Sequence, residues 1–279
     1  MKKSIFQSII LLALIMVLAC VFYLTPDKKS KNFRSVSSGS VSYIKPGSGI
    51  GGGDINGNAV AGKKSLPIYC VKHDDSEKCI SISFDAAWGA DDTIEILNTL
   101  DKYNVKATFF MTGGWVDSYP DMVKEICSRG HDLGNHSHNH KQMSKLSASE
   151  QKDEIMYVTD KVKELTGYDV FLFRPPYGDY NSTLINTVYG CNHYPIQWDV
   201  DSLDWRDYGV ENIIKTVTNH KALGNGSIIL MHNGAKYTAK ALGTVIETLQ
   251  SQGYTFIPIS EMIIRDNFHM DGTGRQIAD

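Results

Sequence analysis

From Leu66 onward short apolar runs alternate with amphipathic segments, and the alternation predicts the elements. Ile80–Phe84, Ala107–Met111, His131–Asn135, Phe171–Phe173, Tyr194–Gln197, Ser227–Leu230 and Thr255–Pro258 read as short buried strands bounded by polar or turn residues. Between them, Thr93–Tyr103 and Pro120–Arg129 carry helical periodicity, the second ended by Gly130. Ser147-Ala148-Ser149-Glu150 is a capping box opening a helix whose Ile155, Val158, Val162 and Leu165 share one face, and Gly167 supplies the stop. Six or seven such βα units imply parallel strands in a barrel or an open doubly wound sheet. No internal repeat is visible.

Ahead of this region the pattern changes twice. Ile5 to Leu24 is a twenty-residue apolar run interrupted only by Gln7 and Ser8, long enough to cross a bilayer as a helix. It follows Met1-Lys2-Lys3, and its length and the lack of a small-x-small site favour an uncleaved signal anchor over a cleaved signal peptide. Cys20 after Val17-Leu18-Ala19 loosely matches a lipobox, but the apolar stretch continues through Leu24. From Ser35 to Gly62, eight glycines and six serines fall among twenty-eight residues, the composition of a flexible linker. The expected organisation is an anchor at 1–25, a linker at 26–65, a folded domain at 66–266 and a polar C-terminal tail at 267–279. The short N-terminal flank makes a single-pass topology with the domain outside the cell membrane the default.

Composition sharpens this picture. With 279 residues, 42% of them hydrophobic and 21% charged, the chain can bury a sizeable core and does not read as disordered. Its net charge of −3 is unevenly spread: residues 1–68 hold nine Lys/Arg against Asp27 and Asp54, so they carry +7 and the rest −10. A nucleic-acid binder needs its basic stripe on the folded domain, so that class is excluded. The basic residues flank the apolar run instead, where they would meet anionic lipid or wall polymer. Cys70, Cys79, Cys127 and Cys191 fit no zinc-finger spacing. Cys70 and Cys79 flank a polar turn, so a hairpin could pair them as a disulfide or leave two buried thiols. No protein partner can be inferred.

Polar residues gather where the predicted strands end, the place where such folds assemble chemistry. Asp85, His136, His140, Arg174, Asp199, Asp201, Asp204 and His232 all fall there. His136 and His140, four apart, would present both imidazoles on one side of a helical turn, a spacing that suits a divalent metal, whereas a solvated polar turn explains the pair equally simply. Trp88, Trp115, Tyr177, Tyr180 and Trp205 offer aromatic surfaces of the kind sugars stack on, with a core role the simpler reading for Trp115.

Taken in order, these clusters resemble the polysaccharide deacetylase family with the NodB homology domain, carbohydrate esterase family 4. The histidine motif matches His136-Ser137-His138-Asn139-His140, R-x-P-Y matches Arg174-Pro175-Pro176-Tyr177, D-x-x-D-W matches Asp201-Ser202-Leu203-Asp204-Trp205 and L-x-H matches Leu230-Met231-His232. The likeness covers about Ile80 to Ile264 and is nearest to peptidoglycan and sporulation-type deacetylases of Firmicutes. The expected fold is an α/β distorted (β/α) barrel of about seven strands, preceded by a transmembrane helix and a flexible linker.

The resemblance implies a catalytic set. His136 and His140 would hold a divalent metal, zinc first with cobalt, manganese or nickel as others. Asp85 would be the general base, oriented by Arg174, and His232 the general acid, fixed by Asp201. Tyr177, Trp205 and Leu230 would line the substrate pocket. The first motif, T-F-D-D-G in typical members, appears here as Ser83-Phe84-Asp85-Ala86-Ala87-Trp88-Gly89, so Ala86 stands where the third metal ligand is expected. Asp92 could replace it from the following loop, or it could be the N-cap of the helix that opens Asp92-Thr93-Ile94-Glu95. The implied activity is metal-dependent removal of N-acetyl groups from cell-wall glycan. A non-catalytic glycan-binding or sporulation-structural protein and an O-acetyl polysaccharide esterase are the alternatives on the same fold.

Overall fold

A computed structural model describes residues 65–74 and 76–279. The apolar run at 5–24 and the Gly/Ser-rich stretch, with the anchor and linker expected on them, lie outside the described residues. Among the described residues no helix is long and apolar enough to cross a membrane.

The chain runs β1 (Cys70–Val71), β2 (Cys79–Ala86), α1 (Thr93–Lys102), β3 (Thr108–Met111), α2 (Gly113–Ser118), α3 (Pro120–Ser128), β4 (Asp132–Asn135), α4 (Ala148–Thr166), β5 (Leu172–Phe173) and α5 (Ser182–Gly190). It continues with β6 (Tyr194–Pro195), β7 (Val200–Asp201), α6 (Val210–Thr218), β8 (Ile228–His232), α7 (Thr238–Ser251), β9 (Thr255–Phe256), α8 (Ile259–Met262), β10 (Phe268–Met270) and β11 (Arg275–Ala278). The main sheet has the order β6-β5-β4-β3-β2-β8-β7 with every neighbouring pair parallel, and β9 pairs with the start of β2. It forms a curled half-barrel wrapped by helices, the α/β barrel-like fold that the βα rhythm implied.

The central strand shows why this sequence curls. Along β2, Ile80, Ile82, Phe84 and Ala86 enter the core shared with Ile96, Leu97 and Leu100 of α1 and Val245 and Ile246 of α7. The alternate residues Ser81, Ser83 and Asp85 face the other way, as a period of two requires. The hydroxyls of Ser81 and Ser83 donate to the carbonyls of Ile257 and Ile229 at 2.6 and 2.7 Å, so buried polar atoms inside the curl are paired. A second apolar cluster, including Ile68, Phe110, Ile196, Ile228 and Ile259, packs apart from the helix-side core. Gly134 of β4 pairs with Phe110 of β3, and a Cβ at that glycine would lie 2.5 Å from the Phe110 ring. Only glycine lets the ring lie across the neighbouring strand.

Three features differ from the sequence reading. Cys70 and Cys79 form no hairpin: β1 pairs in parallel with β11, Cys70 bridges to Ser227, and both cysteines are buried free thiols. Residues 113–118, unassigned from the sequence, form α2, capped by Thr112, whose hydroxyl accepts the Trp115 N–H. Residues 267–279, expected as a tail, are an antiparallel β10–β11 hairpin joined to β1. Its Gln276 is buried and its amide both donates to the Ile264 carbonyl and accepts the Ile264 N–H.

Candidate active site

Parallel registration brings the chemistry together. β2 and β8 are neighbours with Asp85 directly opposite His232, while β4 and β5 end side by side and release the His136 loop and Arg174. The result is a cavity of about 460 Å³ lined by Asp85, Ala87, Trp88, His136, His140, Tyr177, Trp198, Asp201, Trp205, Leu230 and His232.

Asp85 lies at its base. Its Oδ1 accepts from Arg174 Nη1 at 2.7 Å, and its Oδ2 lies 3.4 Å from His136 Nε2. The guanidinium is fully buried, donates also to Ser83 Oγ and the Gln197 carbonyl at 2.9 and 3.1 Å, and lies 4.1 Å from the Phe110 ring centre. Burial alone would raise the Asp85 pKa, but the charge and hydrogen bond of Arg174, with His232 nearby, outweigh it and hold the carboxyl below its ordinary value. The group is a carboxylate at neutral pH, able to accept a proton.

The two histidines reach the cavity by a route the sequence did not suggest. Residues 136–140 are not a helical turn; they form a loop in which Ser137 and His140 both take positive φ, 64° and 52°. The loop is braced by Asn135 Oδ1, which accepts the Ser137 N–H, and by Glu154 of α4, which accepts both the backbone and side-chain N–H groups of Asn139. This brings the rings of His136 and His140 to 5.0 Å between centres and sends His138 out to stack on Tyr157.

His136 Nδ1 lies 2.8 Å from the Arg174 carbonyl, which can only accept, so Nδ1 carries the proton. Burial pushes the His136 pKa down to about 4 and lowers that of His140 as well, so both rings are neutral at pH 7. A lone pair on His136 Nε2 then faces Asp85 Oδ2, an acceptor against an acceptor, which a cation would relieve. Both imidazoles fit a divalent ion in charge, and His136 fits it in tautomer as well. Among the described residues no cluster of three His, Cys, Asp or Glu side chains completes a protein ligand set. Ala86 is fully buried in the helix-side core, and the residue after Asp85 that lines the cavity is Ala87.

Asp92 takes neither of its expected roles. Its carboxylate accepts the Gly234 N–H at 2.9 and 3.0 Å and the Asn233 side-chain amide at 3.2 Å, and it is not among the cavity-lining residues. It stands at the N-cap position of α1 but makes no side-chain cap, because its backbone is already helical (φ −96°, ψ −5°) and its carboxylate is engaged by Gly234 and Asn233.

The partner of His232 also differs. Asp204, not Asp201, accepts from His232 Nδ1 at 2.7 Å, and it also accepts the His232 backbone N–H and the Thr238 hydroxyl. Asp201 lines the cavity, and its carboxylate accepts the Leu203 N–H. Sequence reasoning chose the first aspartate of D-x-x-D-W; what puts the second under His232 is the tight turn Asp204–Arg206, entered and left through Leu203 and Asp207, each at φ 55°. Burial disfavours the imidazolium, but the Asp204 hydrogen bond and the charges of Asp204, Asp85 and Asp201 prevail, so the His232 pKa is raised above its ordinary 6.5.

Tyr177, Trp205 and Leu230 all reach the cavity wall, the first two 66% and 49% exposed and Leu230 buried. Trp198, not singled out from the sequence, lines it too and lies under the Arg174 guanidinium, 5.6 Å from its ring centre. Trp115 is buried in the helix-side core.

The polysaccharide deacetylase family profile matches residues 72–194. Peptidoglycan-N-acetylglucosamine deacetylase PgdA of Listeria monocytogenes is 37% identical over 188 residues, which are 67% of this chain but only 39% of that protein. A peptidoglycan-N-acetylglucosamine deacetylase of Bacillus cereus is 34% identical over 193 residues, 67% of this chain and 89% of that protein. Among solved structures, BA3943 of Bacillus anthracis, described as a CE4 family pseudoenzyme, superposes with a TM-score of 0.67 at 31% identity, covering 70% of this chain and 68% of that one. A curled parallel half-barrel and 34% identity across 89% of the Bacillus cereus protein agree, and this chain belongs to the polysaccharide deacetylase family of hydrolases.

Proposed function

We propose that the chain hydrolyses N-acetyl groups on the sugars of peptidoglycan in a reaction that depends on a divalent cation. The observation that carries this reading is the pairing across one cavity of a base and an acid, each held by its own partner: Asp85 by Arg174, and His232, its pKa raised, by Asp204. An amide needs a polarised carbonyl, an activated water and a proton for the departing amine. His136 and His140 would hold the cation, zinc being the first candidate, and it would supply carbonyl polarisation and a more acidic water. Asp85 takes the proton of the attacking water. Arg174 keeps that carboxylate aimed and ionised. A backbone N–H near Tyr177, which lines the cavity, would donate to the developing oxyanion. His232 passes its proton to the leaving amine while Asp204 stabilises the imidazolium. Leu230 and Trp205 wall the acetyl group.

The full chain is incubated with purified N-acetylated peptidoglycan and acetate is measured, with added zinc, cobalt, manganese or nickel and with chelator. Metal-dependent release that falls about a hundredfold or more in Asp85→Asn supports the reading. A folded chain that releases nothing with any of the four metals overturns it. That outcome favours the second reading, a non-catalytic glycan-binding protein, which the incomplete ligand set and the likeness to BA3943 support. Release from O-acetylated xylan instead would make it an esterase. We also propose that residues 5–24 anchor the chain in the cell membrane with the domain on the outer side, where its substrate lies.

A further inference from the structure

The loop leaving β2 is fastened at three places, and the fastening serves Trp88, one of the five aromatic side chains that the sequence offers as sugar surfaces. The Trp115 indole, buried on α2, donates to the Gly89 carbonyl at 2.7 Å. Asp92 grips the Gly234 N–H, and Asn233 donates its own N–H to the Asp85 carbonyl and its side-chain amide to Thr93 Oγ1 at 2.6 Å. Gly234, at φ 82°, comes so near that a Cβ there would lie 2.7 Å from the Trp88 carbonyl oxygen. Within this braced loop the Trp88 indole is 53% exposed, although large apolar side chains elsewhere in the domain are mostly buried. Its ring centre is 5.7 Å from His232 and 6.2 Å from His140, so it spans the cavity mouth from the proton donor to the histidine pair.

We propose that Trp88 is the stacking platform for the pyranose ring whose acetamido group enters the cavity, and that Asp92 with Gly234 fixes it there. The indole face matches the weakly positive C–H face of a sugar and, being held before binding, loses little freedom when the sugar arrives. Its place beside both imidazoles lets a ring stacked on it carry the N-acetyl carbon over Asp85. Trp88 is thus a positioning residue, and the loop clasp accounts for an aspartate that neither caps α1 nor lines the cavity. The proposal rests on the deacetylase reading for its consequence in turnover, and its binding step stands apart from it.

The test has two readouts on the full chain. In the presence of chelator, tryptophan emission is followed while the N-acetylglucosamine tetramer is added to the wild type, Trp88→Phe and Trp88→Ala. In parallel, kcat and KM for acetate release from that tetramer are measured in the same proteins and in Asp92→Ala. A tetramer-induced emission change in the wild type that disappears in Trp88→Ala supports the proposal. In turnover, KM should rise about tenfold in Trp88→Ala with kcat within threefold, recover largely in Trp88→Phe and rise in the same direction in Asp92→Ala. No emission change in the wild type, or an unaltered change and KM in a folded Trp88→Ala, overturns it. If the wild type binds through Trp88 but releases no acetate, the deacetylase reading fails and the platform stands. If it is active and Trp88→Ala leaves KM unchanged, the platform fails and the deacetylase stands.

Discussion

Burial drives the Asp85 and His232 pKa values toward their neutral forms, and in both cases nearby charge wins. Without Arg174 the Asp85 carboxyl would be a buried acid, and without Asp204 the His232 ring would be a buried neutral imidazole. Because a proton donor must be protonated, acetate release should decline as pH rises through the raised His232 value, above 6.5. Asp204→Asn removes the carboxylate and should move that alkaline limb to lower pH, with kcat falling about tenfold to a hundredfold; a pH–rate profile measures both. A second histidine matters to stability alone. His131 is buried against Phe109, its Nδ1 accepts the Ala107 N–H, and burial followed by the Lys106 charge pushes its pKa down to about 4. Between pH 6.5 and 4 the unfolded chain takes up a proton at His131 that the native chain refuses, so stability falls as pH falls through that window, by on the order of 3 kcal/mol. His131→Asn retains an acceptor for Ala107 and should make that part of the curve shallower in urea unfolding at stepped pH, the remaining slope coming from buried histidines such as His136.

Among the elements, α4 and the β3–β4 pair position the site from a distance. The capping box at Ser147 and Glu150 is complete, and Gly167 closes the helix in the left-handed conformation. Ser147→Ala should cost about 1 kcal/mol in chemical denaturation and leave KM alone, because the cap lies about two turns before Glu154, the residue that braces the histidine loop, and makes no contact with it. Gly134→Ala acts differently. Its methyl would strike the Phe110 ring on which the Arg174 guanidinium rests, so overpacking of about 1–3 kcal/mol should be accompanied by loss of kcat as Asp85 loses its aim. A melt and a kcat measurement on the same protein test the coupling; lost stability with full kcat would break it. Element types were legible in the sequence wherever periodicity was local. The capping box, the Gly167 stop and the strand at Ile80–Phe84 follow from it, whereas the two-residue strands β5 and β6 reach only part of their predicted spans because pairing partners set their ends.

At the scale of the molecule, the β10–β11 hairpin ties the chain's last residues to its first described strand. Tyr69 donates to the Gly274 carbonyl and Lys72 to the Gln276 carbonyl, while the buried Gln276 amide closes on Ile264. Truncation after Asp266 should therefore lower the melting temperature by roughly 10 °C, read by differential scanning fluorimetry, as buried hydrogen bonds and the edge of β1 are lost. A melting temperature unchanged within 2 °C or so would return 267–279 to the surface tail its composition suggested. The sequence by itself determined the βα rhythm, the parallel sheet, the family, and which polar side chains, Asp85, His136, His140, Arg174 and His232, stand at neighbouring strand ends. Each of these is written in local periodicity or in short motifs at strand ends. Only the tertiary structure decided that Asp204 rather than Asp201 holds His232, that Asp92 clasps Gly234, and that Ala87 rather than Ala86 faces the cavity. Those choices depend on which way a strand residue points and on contacts between residues as far apart as 92 and 234, which spacing along one chain does not encode.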